Sequence, residues 1–388
     1  MDVAAFVNAP GQLTSRLAPD GQVYVAFVPN PLPPPLGDQE LGSVAGLLAE
    51  ASRAFGELSG IGKLLPNPDL LIRPYMRWEA IMSSRIEDTH TSFAELAALE
   101  ASGYESLRSQ TREVLRYVGA LEYGLRHVRD NGFTVDLVRQ LHRQLLEGLP
   151  GSARKTPGEV RALQNHIGGD GELSRARFVP PPPGEAADLL EQLVGYASSA
   201  TPRFPLLIDA ALIHYQFEAI HPFLDGNGRV GRVLIPLLFS LREELDHPLL
   251  YLSPYFEQHR SAYYDHLFAV STRGEWMAWI RYFLTGIREQ SRLAIRVASQ
   301  VIELGRTWKL SLEAAGAPMN ALRLAEFVLQ HLVVTPKMIS LNLQVSSQTS
   351  YNLVRHLERA GILKELDLHS AGKIYIADDL RAIIEDAA

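Results

Sequence analysis

The chain has 388 residues, 46% hydrophobic and 21% charged, the composition of an ordinary folded protein of two or three domains. It contains no cysteine, so disulfides, zinc-thiolate sites and cysteine nucleophiles are excluded. The net charge of -7 opposes broad binding to phosphate backbones. No stretch reaches the ~18 to 20 apolar residues of a membrane helix. The start lacks the basic-then-apolar layout of a secretory signal, so a cytoplasmic protein without membrane association is expected.

Residues 1–40 are rich in turn formers and end in a proline cluster (Pro29, Pro31, Pro33, Pro34, Pro35), which predicts extended or polyproline II chain. Over 39–148 the apolar spacing is helical, with an interruption at 60–74. Pro74 is placed as the first residue of a helix on which Tyr75, Trp78, Ile81, Met82 and Ile86 recur at three- and four-residue steps. That helix should stop near Asp88, and Ser92 with Glu95 forms a capping box that opens the next. Between 157 and 183 the pattern changes. Asn165-His166-Ile167-Gly168-Gly169-Asp170-Gly171 reads as a hairpin tip, and Phe178-Val179 runs into four prolines.

Residues 205–220 are apolar on nearly every face and predict a buried central helix. Helical patterning then resumes at Gly228 and runs to about Leu310, with a kink expected at Pro236. His214, without further ligands in evidence, reads as a hydrogen-bonded core histidine, and Trp276 and Trp279 as core. After Gly316-Ala317-Pro318, helices are predicted at 320–332, 335–344 and 346–360. A hairpin at 362–376 follows, turning at Ser370-Ala371-Gly372. Three helices and a hairpin are winged helix-turn-helix order.

The chemistry concentrates in 221–232, His-Pro-Phe-Leu-Asp-Gly-Asn-Gly-Arg-Val-Gly-Arg, a loop from the buried helix into the start of the next. A helix start offers free N–H groups and a positive dipole end, hence an anion site. Gly226 and Gly228 permit positive φ and close backbone approach of a ligand. Arg229 and Arg232 are three residues apart, so both guanidinium forks project from one face and suit a polyphosphate. Asp225 suits Mg²⁺, which takes one or two carboxylates plus substrate phosphates. His221 titrates nearest neutrality and is the natural general base. Gly226, Gly228 and Gly231 formally match a dinucleotide fingerprint, but that motif follows a strand and this loop follows a helix. A mere glycine-rich connection leaves His221, Asp225, Arg229 and Arg232 unexplained. The residues themselves therefore point to a nucleoside triphosphate site.

This segment resembles, at every defining position, the Fic-domain signature HxFx(D/E)GNGRxxR. Similar agreement is found at the prolines near 33, at Ser83-Ser84-Arg85-Ile86-Glu87, at 164–169 and at 178–183, so the resemblance covers nearly the whole chain. It implies a mainly α Fic-type helical core with a short β-hairpin flap and a C-terminal winged helix-turn-helix domain. The expected units are an N-terminal region at 1–115 with an inhibitory helix at about 74–88, a catalytic core at 116–310 and the winged helix at 317–388. The activity implied is protein adenylyl transfer, AMP moving from ATP to a Ser, Thr or Tyr hydroxyl. The site implied has His221 as base and Asp225 on Mg²⁺. Gly226, Asn227, Gly228, Arg229, Val230, Gly231 and Arg232 would lie around the phosphates, and Tyr264 would line the nucleotide pocket. The flap at 165–179 would dock the target segment by strand addition, and self-modification and a homodimer are compatible partners.

Ser83 and Glu87 resemble the family's inhibitory motif (S/T)xxxE(G/N). Their four-residue step sets both on one helix face, and a carboxylate at a helix C-terminus gains from an external cation, which the resemblance makes Arg232. Asp88 departs from the Gly or Asn of that motif, and Asp tolerates a left-handed helix end less readily than Gly. From Ala317 onward, seven Lys/Arg face eight Asp/Glu, so the winged helix reads as a protein-docking or dimerising module more than as a DNA-binding one. A nucleotide-sensing DNA-binding regulator is the competing function class, but a sensor needs no general base. Transfer of a phosphoryl group or another nucleotide is the third reading; the Gly-Asn-Gly-Arg loop argues against phosphoryl transfer, while the choice of base lies in pocket shape away from that loop.

Overall fold

The structure, a computed structural model, describes residues 1–388 except 19–20, 22, 65–66, 103–108, 170–171, 243–244, 246, 367–372 and 386–388. Its first element is a hairpin of β1 (Gly11–Leu17) and β2 (Val23–Pro29), paired antiparallel from Gly11↔Pro29 to Leu17↔Val23. The composition reading gave only extended chain here. The β-branched and aromatic residues of Val23-Tyr24-Val25-Ala26-Phe27-Val28 supply the strand propensity that turn-former counting overlooked.

Helices α1 (Asp38–Gly42), α2 (Ala45–Leu64), α3 (Asp69–Ile86), α4 (Phe93–Ser102), α5 (Ser109–Asn131) and α6 (Val135–Leu146) follow. Pro74 does not open α3; it lies inside it. The helix starts earlier because Asn67 Oδ1 accepts from the Asp69 N–H at 3.2 Å, and apolar Leu71 is buried ahead of the proline. The other end matches expectation. Thr89 N–H donates to Ser84 O and Asp88 N–H to Arg85 O, both at 3.0 Å, the paired bonds of a Schellman stop. Asp88 takes the left-handed conformation at φ 59°. The capping box is present: the Glu95 N–H donates to Ser92 Oγ at 3.1 Å, and the Ser92 N–H donates to Glu95 Oε2 at 3.0 Å.

The flap carries less strand than expected. One antiparallel bridge, Ile167↔Phe178, closes it, and a 3-10 turn occupies Leu173–Arg175; the tip residues Asp170 and Gly171 lie outside the described residues. The glycines at 168 and 169 both take positive φ, which turns the chain away from regular pairing. β2 packs onto the flap's far side, the Phe27 N–H donating to Val179 O at 2.9 Å.

Helices α7 (Pro183–Ala197), α8 (Leu206–Ile220) and α9 (Asn227–Leu241) form the centre. α8 is buried along almost its whole length, as its all-round apolar sequence requires. His214 is 1% exposed, Nδ1 facing Gly231 O at 3.1 Å and Nε2 facing Tyr263 Oη at 2.9 Å; the buried Trp279 donates to Ala211 O at 2.8 Å. The helical run expected from 228 to 310 is not continuous. It divides into α9, α10 (Ser253–Gln258), α11 (Arg260–Arg273) and α12 (Trp276–Ala314). Gly274 at φ 66° ends α11, and Pro254 fits the first turn of α10. Pro236 lies within α9.

The last unit comprises α13 (Met319–His331), β3 (Val333–Val334), α14 (Pro336–Leu343), α15 (Ser347–Arg359), β4 (Lys364–Leu366), β5 (Ile374–Ile376) and α16 (Asp378–Glu385). Its sheet has the order β3-β5-β4, both pairings antiparallel. The expected turn at 370–372 lies outside the described residues. α13 packs on α3 and α12, and β3 and β5 pack on α4, so this unit rests against the helix that carries Ser83 and Glu87. Among the described residues no helix is long and apolar enough to cross a membrane.

Candidate active site

α8 ends at Ile220, and His221 caps it in the left-handed conformation, φ 49° and ψ 59°. The chain then turns through Pro222-Phe223-Leu224-Asp225 and enters α9, with Gly226 as its left-handed N-cap at φ 80°. Asn227 pins the turn: its Oδ1 accepts from the Phe223 N–H and its Nδ2 donates to Phe223 O, both at 2.8 Å. A cavity of about 530 Å³ opens over this loop. It is lined by the loop residues, Glu87, the flap residues Ile167 and Phe178, and Tyr263 and Tyr264 of α11. Ser83, Val230 and Gly231 lie behind it, not among its lining residues.

His221 Nδ1 lies 3.3 Å from Glu218 O. A carbonyl only accepts, so Nδ1 carries the proton and Nε2 is the basic nitrogen. Burial pushes the imidazole down to about 4, with Arg161 adding to the shift and Glu87 and Asp225 opposing it, so it is neutral at pH 7. Asp225 accepts from Lys155 Nζ at 2.6 Å and lies 3.8 Å from Arg229. Burial raises its pKa, but the Lys155 bond and the Arg229 charge outweigh that and hold it below the usual carboxylate range. Asp225 is the carboxylate of the loop that lines the cavity. Among the described residues no cluster of three or more His, Cys, Asp or Glu could hold a metal alone. That donor set fits Mg²⁺, which completes its shell with substrate phosphates and water.

The two arginines differ. Arg232, 1% exposed, donates from Nε to Ser83 Oγ at 2.8 Å, and from NH2 to Ser83 O at 2.9 Å and Glu87 Oε1 at 2.8 Å. Burial and the Glu87 charge act on it in opposite senses, and the net effect raises its pKa. Arg229 turns the other way, to Glu113 on α5 at 3.2 Å, and its buried Nε–H has no acceptor among the described residues. Gly226 has the positive φ expected of it, but Gly228 is helical and has none, although it lines the cavity. A side chain at Gly228 would collide with the Glu87 carboxylate, and one at Gly231 with that of Glu218. Tyr264 is half-buried, with its hydroxyl 3.5 Å from Ile86 O at the end of α3.

Several residues were not found from sequence. His142 on α6 accepts from the Gly158 N–H at 2.9 Å and donates to Asp225 O at 3.0 Å, with its ring stacked on Phe223. Glu218, three residues before His221, lines the cavity; burial lifts its carboxyl to about 8, and its Oε1 has no partner among the described residues. Its position one turn before His221 was the only available signal. Lys155, Glu113 and Arg161 come from distant segments and had none.

Comparison with known proteins now adds to this geometry. Residues 45–126 match the family described as Fic/DOC family N-terminal, and residues 132–239 the Fic/DOC family. A protein adenylyltransferase Fic of Aedes aegypti is 30% identical over 176 residues, 44% of this chain and 31% of that protein. One of Drosophila willistoni is 31% identical over 157 residues, 38% and 26% of the two chains. The chain thus spans less than a third of the length of these curated relatives. A crystal structure of a Fic family protein from Desulfovibrio desulfuricans G20 is similar in fold, with a TM-score of 0.55 at 19% identity, over 89% of this chain and 98% of that one. So is Fic-1 of C. elegans, with a TM-score of 0.53 at 18% identity over 67% and 75%.

Proposed function

We propose, from the premise that this chain carries a Fic/DOC-family domain preceded by the family's N-terminal segment, that it is a protein adenylyltransferase. The observation carrying this reading is the loop itself. A neutral imidazole, the Asp225 carboxylate and a helix N-terminus with two arginines share one cavity wall. ATP is the donor and a Ser, Thr or Tyr hydroxyl of a protein the acceptor, this chain included. His221 Nε2 takes the hydroxyl proton as the oxygen bonds to the α-phosphorus. The bond from that phosphorus to the β-bridging oxygen breaks, and pyrophosphate leaves. The α9 N-terminus and the arginine forks carry phosphate charge, while the Asn227 side chain, bonded at both ends to Phe223, holds the turn rather than the phosphates, so the protein contributes chiefly position and preorganised charge. Mg²⁺, held by Asp225, would supply further charge neutralisation at the phosphates.

Autoinhibition by Glu87 is supported by its ion pair with Arg232, which occupies a guanidinium the phosphates need. The flap's single bridge leaves edge N–H and C=O groups for an extended target segment. The reading keeps three units, at 1–115, 116–310 and 317–388, the last a winged helix. The order α13-β3-α14-α15-β4-β5 supports that assignment, and the unit's weak charge favours protein docking or dimerisation over DNA. The test is label transfer with ATP carrying ³²P at the α or the γ position. Adenylyl transfer labels protein from α alone; label from γ would mean phosphoryl transfer.

A further inference from the structure

Beyond the last turn of α8, the carbonyls of Ile220, His221, Pro222 and Phe223 need donors. One segment, 161–165, supplies donors to all four. Arg161 Nε donates to His221 O at 2.9 Å, its NH2 reaches Ile220 O at 3.5 Å, and its backbone N–H donates to Pro222 O at 2.9 Å. Asn165 Nδ2 donates to Phe223 O at 2.8 Å and lies 3.4 Å from His221 O. The remaining Arg161 donors go to Pro181 O at 2.5 Å and Leu163 O at 3.5 Å.

This use of an arginine is costly. Arg161 is 2% exposed, and among the described residues no carboxylate pairs with it. A buried guanidinium is stable only when its N–H groups are satisfied, and here backbone carbonyls do it. Burial lowers its pKa to about 10, which leaves it charged at neutral pH. The site it holds is itself strained. Helices usually place Gly in the left-handed position after their last turn, and here that position is His221. Such a conformation persists only where the surroundings over-determine it. Pro181, the fourth anchor, stands two residues beyond Val179, where the flap meets β2.

We propose that Arg161 is the positioning residue of the general base, its fork fixing the left-handed turn at His221 and joining it to the root of the flap. This rests on the reading of His221 as base. The charged and titratable groups acting on that imidazole are Arg161, Glu87 and Asp225, the first lowering its pKa and the other two raising it.

The test uses the full chain with Arg161→Met and Arg161→Lys, read in two ways. ¹⁵N NMR of the imidazole needs no turnover. The Met variant should show a mixed tautomer and a titration moved upward, and the Lys variant, which keeps the charge, a mixed tautomer with little titration shift. In AMP transfer both should lose about 10²-fold in kcat, the scale of a misplaced reacting group, with the KM for ATP unchanged. Unchanged tautomer and kcat in folded variants would overturn the proposal. Loss of fold in both would overturn it too, assigning Arg161 to stability alone. If His221→Ala transfers AMP normally, the general-base reading fails, and the NMR arm separates that failure from a failure of the Arg161 clamp.

Discussion

Two of the ion pairs at the cavity, Arg232–Glu87 and Lys155–Asp225, are opposites in kind. Arg232–Glu87 is built on a guanidinium 1% exposed, with Ser83 supplying two further acceptors from the same helix. Lys155–Asp225 is 37% and 40% exposed and reached by a flexible lysine. Solvent screens the second pair and leaves it worth at most ~1 kcal/mol, whereas losing a hydrogen bond to a buried charge costs about 1.5–3 kcal/mol. On the proposed reading, the Asp225 side would thus open readily to Mg²⁺ while the phosphate side is held shut, which would put regulation at α3.

Breaking the chemistry altogether gives the largest effect. His221→Ala should lose about 10²–10⁴-fold in transfer while still binding ATP, measured by turnover and by calorimetry. Releasing the buried pair comes next. Glu87→Gly should raise transfer by roughly 10- to 100-fold, the scale of one charged hydrogen bond, in a pyrophosphate-release assay. Lys155→Met should change turnover at saturating Mg²⁺ by at most about fivefold and lower the Mg²⁺ concentration for half-maximal activity. A tenfold fall in turnover would show that Lys155 contacts substrate. Asp88→Asn removes the exposed 2.8 Å pair with Arg260 and should alter the brake least, within the same fivefold.

The pH profile sharpens the account of the base. The imidazole must be neutral to accept a proton, and burial lowers its pKa, so the acid limb of kcat/KM falls near pH 4 rather than near the usual ~6.5 of histidine. A limb near 6.5 would place His221 in water.

What the sequence disclosed follows from what was local. The turn from α8 into α9, the helix stop near Asp88, the Ser92–Glu95 box and the all-apolar α8 each depend on residues a few positions apart, and the structure has each of these elements where the sequence puts it. Pro74 was misread because a proline suits a helix start, while Asn67 and the apolar Leu71 place that start five residues earlier. Gly228 was expected to allow positive φ and is helical instead; its lack of a side chain makes room for Glu87, a contact across 141 positions that no spacing rule reveals. Arg161, His142, Lys155 and Glu113 escaped for the same reason. Each is an ordinary polar residue until the fold sets it against the loop.

We propose AMP transfer by His221 under restraint by Glu87. Intact-mass measurement of wild-type, Glu87→Gly and His221→Ala protein after incubation with Mg²⁺ and ATP tests it most directly. The account predicts an added AMP that is scarce in the wild type, abundant in Glu87→Gly and missing in His221→Ala. An adduct of equal size in the wild type and Glu87→Gly, or one that survives in His221→Ala, would contradict it.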